Sequence, residues 1–139
     1  MSLFAEAFNE ELNKPVLNVD ELIDIEGVGN GISSKQDTGN DGLNVLHGIN
    51  HNIDKGNITF DTVNNKKITK PLKGSIKIHI GSGIVEDRPV VDFTIRLNDK
   101  IYKNVPFSLS DRSKNDEPVL IGAPFIKQLG ALVDVQKED

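Results

Sequence analysis

The 139-residue sequence predicts one mostly β domain, and two observations carry that reading. From Ile58 onward the chain runs through short β-branched-rich stretches, "NITFDTV", "GSIKIHI", "RPVVDFTIRL", "KIYKNVPFSL" and "PVLIG", each bounded by Gly, Asn, Asp or Pro. Within "GSIKIHI", Ile76, Ile78 and Ile80 alternate with Ser75, Lys77 and His79, the period of a strand with one buried face. Hydrophobic residues make up 37% of the chain, enough for a modest core in one compact unit.

Taken in order, residues 2–12 ("SLFAEAFNEEL") place Leu3, Phe4, Ala7, Phe8 and Leu12 near helical spacing, with Ser2 as a cap and Pro15 beyond the end. This predicts a short amphipathic helix in an acidic extension, residues 1–19, which either packs on its own domain or docks on a protein partner through residues 1–14. The β domain then occupies residues 20–139. A strand is expected around Leu22–Ile25, after which Gly27, Gly29 and Gly31 call for turns. Residues Asn64–Lys67 read as an exposed loop and Leu97–Lys100 ("LNDK") as a hairpin turn. At the C-terminal end, "APFIKQLGALVDV" predicts one short helix over Pro124–Leu129, stopped at Gly130 and followed by a final strand.

Composition removes several classes of function. The chain has no Cys, which excludes disulfides, thiolate metal sites and a cysteine nucleophile. Net charge is −5, and residues 1–30 hold seven acids and one base, so the acidity belongs mostly to the leader. With no basic field, no Trp and one Tyr, nucleic-acid binding is not expected. No basic start followed by an apolar run, and no apolar stretch of membrane-spanning length, is present, so a soluble intracellular protein without membrane association is expected.

Three features fall in a definite order: Asp37-Thr38-Gly39, then a Gly-rich hairpin "IHIGSGIVEDRPVV", then an apolar "PVLIGAPFIKQLGALVDV". This order resembles the retropepsin-like aspartic proteases, whose DTG loop is followed by a flap hairpin and then by an apolar strand, Gly and a short helix. The blocks "KQDTGNDGLNVLHG", "EDRPVV" and "FSLSDRSKNDEPVLIGAPFI" are more specifically similar to the family described as ATP-dependent zinc proteases, retropepsin-like proteins associated with RimK-type glutamate ligases. The resemblance covers roughly residues 20–135 and is most specific over Ser108–Gly122.

That resemblance implies a closed, barrel-like β fold and an aspartic-type peptidase acting on a peptide or protein substrate. Asp37 would be the acid/base, Thr38 and Gly39 would shape its loop, and Gly81, Ser82 and Gly83 would form the flap. Two opposed carboxyls can share one proton because both cannot ionise cheaply, so one activates water while the other donates to the scissile carbonyl. The chain supplies one such motif, so the second Asp37 must come from a symmetry mate in a homodimer. Gln36 and Asn40 depart from the family pattern, which has an apolar residue before DTG and Ala after it. They motivate the alternative, an inactive binding or assembly module of the same fold, as in a virus particle.

Other groups are weighed beside these. Arg112, in "SDRS", either braces its loop against Asp111 or binds a substrate carboxylate bidentately, and Arg88 either pairs with Glu86 or Asp87 or assists in that binding. Relatives linked to glutamate ligases point to acidic peptides. His47 and His51 stand four apart, but Gly48, Asn50 and Asn52 place them on a loop, and no HExxH is present. His47 is expected to bond backbone near the Asp37 loop, and His79 to be exposed. No Walker-type phosphate loop occurs, and the aspartyl mechanism requires neither ATP nor zinc, so no cofactor or metal is assigned.

Overall fold

The structure, a computed structural model, describes residues 16–129 and 132–134. The amphipathic helix expected over residues 2–12 lies outside the described residues. Among the described residues there are twelve strands: β1 (Val16–Asn18), β2 (Asp20–Ile25), β3 (Gly29–Asp37), β4 (Asn44–His47), β5 (Ile49–Asp54), β6 (Asn57–Asp61), β7 (Lys67–Pro71), β8 (Gly74–His79), β9 (Val85–Leu97), β10 (Lys100–Ser110), β11 (Val119–Gly122) and β12 (Leu132–Asp134). One short helix, α1 (Ala123–Leu129), separates the last two.

Six strands close on themselves in the order β10-β4-β11-β3-β2-β9, with β9 pairing back onto β10. The closed, mostly β architecture expected from sequence is therefore observed. Closure leaves these strands without free edges and gives the sheet a single interior. Val91, Phe93, Ile95 and Leu97 alternate along β9 and fill that interior against Val105, Phe107 and Leu109 of β10. Phe93 and Phe107 meet edge to face, their ring centroids 5.8 Å apart. Each such side chain contributes about 1.5–3 kcal/mol when fully buried. The turn joining the two strands has Asn98 and Asp99 both at positive φ, as the predicted "LNDK" hairpin requires.

Strands β5, β6 and β7 form a separate three-stranded sheet. Its Ile58 and Phe60 are fully buried in the common core. Gly48 sits at the junction because a Cβ there would press on Leu109 and Phe60. The loop expected over Asn64–Lys67 is instead a 3-10 turn, Val63–Asn65, running into β7 at Lys67. The loop expected around His47 and His51 is likewise corrected: His47 ends β4 and His51 lies in β5.

Strand β9 is long enough to do two jobs. Its second half lines the barrel, while its first half leaves with β8 as a hairpin closed by Ile80 N–H donating to the Ile84 carbonyl. Ile76 and Ile78 are half-buried between exposed neighbours and Ile80 is 41% exposed, so the alternation expected of "GSIKIHI" is present but its inward face is only partly buried. His79 is exposed, as its polar-face position suggested.

Candidate active site

Asp37 ends β3, and the approach to it is polar on the inside. Ser34 and Gln36 point into the barrel and are buried. The Ser34 hydroxyl donates to the Glu21 carbonyl at 2.8 Å, and the Gln36 amide donates to the Ser34 oxygen at 2.8 Å. This chain of bonds is what allows two polar side chains where apolar ones would pack. The Gln36 Oε1 remains buried without a hydrogen-bond partner.

After Asp37 the chain makes an unusual crossing. Strand β11 lies between β3 and β4, parallel to the first and antiparallel to the second, so residues 38–43 must pass over the end of β11 to connect them. The passage is close, and only a residue without a Cβ fits at Gly122, since a side chain would collide with the Gly42 carbonyl oxygen. Four hydrogen bonds fasten the crossing. Ala123 N–H donates to the Asn40 carbonyl at 2.7 Å, Gly42 N–H to Asn40 Oδ1 at 2.9 Å, and Gly122 N–H to Asn44 Oδ1 at 2.9 Å. Asn44 Nδ2 in turn donates to the Pro106 carbonyl at 3.3 Å. Asn40 thus serves the loop through its side-chain oxygen, and it is not among the residues at positive φ.

Within this frame Asp37 is half-buried, and its Oδ1 accepts the Gly39 N–H at 3.0 Å, which orients the carboxyl. Thr38 and Gly39 are exposed at the tip of the loop. Gly81, Ser82 and Gly83 lie at the tip of the β8–β9 hairpin, with Gly81 and Gly83 at positive φ. No hydrogen bond ties that tip to the Asp37 loop among the described residues.

Arg112 feels the charge of Asp37, and Arg88 feels that of Arg112. Burial, reinforced by the Arg88 cation, pulls Arg112 below its ordinary value, while Glu117 and Asp37 oppose that shift. A guanidinium stays charged through such changes. Arg112 does not pair with Asp111 as the sequence allowed. Its Nε donates to the Glu117 carbonyl at 2.8 Å, and Asp111 instead accepts from Ser113 N–H and Oγ, the bonds that hold its carboxyl below the usual range. Arg88 does pair with Glu86, Nε to Oε1 at 3.1 Å, and Ser110 Oγ reaches the same oxygen at 3.4 Å. Both guanidinium groups are therefore anchored through Nε.

His47, Asn44, Gly122 and Glu117 carry more of this site than sequence reasoning assigned them. His47 Nδ1 accepts the Arg112 backbone N–H at 2.9 Å, so it bonds backbone near the Asp37 loop as expected. Among the described residues no group of three or more His, Asp or Glu could hold a metal, so those residues do not form a zinc site. Nor is any described helix long and apolar enough to cross a membrane.

Residues 51–139 match the profile of a family described as RimB-like, the retropepsin-like aspartic endopeptidase RimB. That description contains neither ATP nor zinc, so the ATP-dependent zinc protease part of the sequence resemblance finds no support. A crystal structure of a Legionella pneumophila protein of unknown function superposes with a TM-score of 0.72 and 25% identity, over 88% of this chain and 95% of that one. No curated protein matches by sequence.

Proposed function

The chain belongs to the RimB-like family of retropepsin-like aspartic endopeptidases, and from that premise we propose that it hydrolyses peptide bonds as a homodimer in which two Asp37 carboxyls face each other. The observation that carries the reading is the braced crossing over β11, which holds Asp37 half-exposed at the end of a strand with one buried face, its Oδ1 pinned by Gly39. A carboxyl held that way needs a second acidic group to manage the proton it takes up, and Asp37 of the partner subunit is the group of matching chemistry.

In the proposed cycle one Asp37 is ionised and the other protonated. The ionised carboxylate removes a proton from water as the water oxygen attacks the scissile carbonyl carbon, and the protonated carboxyl gives its proton to the carbonyl oxygen. The carboxyl that gained the proton then passes it to the amide nitrogen. As the C–N bond breaks, the other carboxylate takes back a hydroxyl proton, and an acid and an amine are released with the shared proton restored. Gly81 to Gly83, at the hairpin tip, would close over the substrate backbone.

Arg88 and Arg112 suggest the substrate class. Arg112, within reach of the Asp37 charge, and Arg88, which acts on Arg112, favour a peptide with acidic side chains, which the resemblance to proteins associated with glutamate ligases also suggests. The alternative reading, an inactive module of the same fold, draws on the unpartnered Gln36 oxygen beneath Asp37.

Light scattering after size exclusion, followed by mass spectrometry of an oligoglutamate peptide incubated with the chain and with Asp37→Asn, tests the proposal. A dimer that cleaves the peptide, with cleavage lost in a folded Asp37→Asn variant, supports it. A monomer inert across mildly acid and neutral pH overturns it and leaves the module reading in its place.

A further inference from the structure

We propose that His47 is the positioning residue for Arg112: it holds the Arg112 backbone as a hydrogen-bond acceptor and releases it when protonated, which makes carboxylate binding sensitive to pH. This rests on the reading of Arg112 as a carboxylate-binding group given above.

The geometry around the imidazole is fixed from several sides. The His47 main chain donates to the Pro118 carbonyl at 2.8 Å, and its own carbonyl accepts the Thr62 hydroxyl at 2.7 Å. The ring is largely enclosed, with its side chain 14% exposed. An imidazole nitrogen that accepts an amide N–H carries no proton, so the neutral ring has its proton on Nε2. Arg112 is thereby held at two points on two different elements: its backbone by β4 through His47, and its Nε by the Glu117 carbonyl ahead of β11. With the His47 hold lost, the guanidinium fork is fixed at one point instead of two.

Protonation changes the first hold and not the second. With both ring nitrogens as donors, Nδ1–H and the Arg112 N–H face each other, and the acceptor at hand for Nδ1–H is Asp111 Oδ1, 3.8 Å away. The charged groups around the ring are Asp111 and Arg112 on the loop after β10, with Lys114 acting on Asp111 and Glu117 acting on Arg112 from the segment before β11. From the side of the β5–β7 sheet the neighbour is the neutral Thr62 hydroxyl. The cationic ring therefore exchanges Arg112 for Asp111. A new positive charge alone would tighten the binding of an anion, whereas the exchange weakens it, so the sign of the pH effect separates the two.

The test uses the full chain carrying Asp37→Asn, so that the probe survives, and measures fluorescence anisotropy with a labelled hexaglutamate peptide and its hexaglutamine counterpart between about pH 8 and about pH 5. His47→Asn keeps an acceptor where Nδ1 stood and cannot take up a proton. His47→Leu removes the acceptor, and circular dichroism reports whether it folds. With His47 present, hexaglutamate affinity falls several-fold as the pH drops. His47→Asn retains the affinity with a flatter profile, which also removes any contribution from titration of the peptide. His47→Leu binds hexaglutamate about tenfold more weakly at every pH, the size of one lost hydrogen bond, with hexaglutamine binding unaltered. An unchanged His47→Leu, or a His47→Asn with the same pH limb, overturns the proposal.

Should hexaglutamate bind to none of these chains, the carboxylate reading fails and the positioning of Arg112 is still decided by NMR. A His47 ring protonated on Nε2, with the Arg112 amide proton shifting in step with ring titration, supports it. A proton on Nδ1 at neutral pH, or an Arg112 amide indifferent to the ring, overturns it.

Discussion

Gly122 and Gly42 meet backbone to backbone where residues 38–43 cross the end of β11, so close that a Cβ on the first would collide with the carbonyl oxygen of the second. Gly122→Ala must therefore displace the loop that carries Asp37 or pull β11 away from β3. We expect a loss of about 2 kcal/mol or more in urea unfolding, together with a fall in peptide cleavage. A variant with the parent's midpoint would mean that the crossing yields without cost.

Asn44 makes the second brace, accepting from Gly122 N–H and donating to the Pro106 carbonyl from a buried position. Asn44→Leu strands both partners and should lower stability by about 2–3 kcal/mol. Asn44→Asp keeps the acceptor but turns a carboxylate oxygen toward the Pro106 carbonyl, and should fall between the two in the same unfolding measurement.

Arg88 and Arg112 are predicted to set preference for acidic peptides. Arg112→Leu should raise KM for a glutamate-rich peptide at least tenfold while affecting a neutral peptide little, and Arg112→Lys should restore only part of the loss, because an ammonium cannot offer a fork. Equal losses on both peptides would point to a structural role. Arg88→Leu should act in the same direction, with an added effect from leaving Glu86 unpaired.

Glu117 gives the chain a pH signature in stability. Burial, a hydrogen bond that the protonated carboxyl donates to Asp20, and repulsion by Asp20 and Asp116 raise it above the ordinary glutamate range. The folded state then binds more protons than the unfolded one, so this contribution is fully present below the ordinary value and is lost as the pH rises through the raised one. Glu117→Gln removes that loss. Urea midpoints should show the variant more stable than the parent at neutral pH, by up to about 1 kcal/mol given its partial exposure, with the gain shrinking toward mildly acid pH. A variant less stable at neutral pH would sink the assignment.

The barrel half of the fold was legible because its strands carry their own pattern. Val91 to Leu97 alternate, Asn98 and Asp99 suit the turn, and Pro124 to Leu129 lie wholly within α1. Strand β5 was missed for the opposite reason: "INHNID" is exposed at nearly every position, and pairing with β6 fixes it where apolar periodicity does not. The Asp37 loop was visible as a motif, but its bracing was not. Asn44 and Gly122 are 78 residues apart, and His47 and Arg112 are 65 apart, separations at which a sequence gives no hint of a hydrogen bond.

Strand β9 is shared between a closed barrel and a projecting hairpin, and its backbone bonds should not open together. Residues 91–97 run in the barrel wall against β10, and Ile95 to Leu97 pair with β2 as well, whereas Val85 to Pro89 have β8 alone for a neighbour, with a surface edge beyond it. Amide hydrogen exchange along this one strand should therefore fall into two classes, slow toward Leu97 and fast toward Val85, with the boundary near Pro89. A single covalent strand then belongs to two cooperative units, and the hairpin can lift without the barrel loosening.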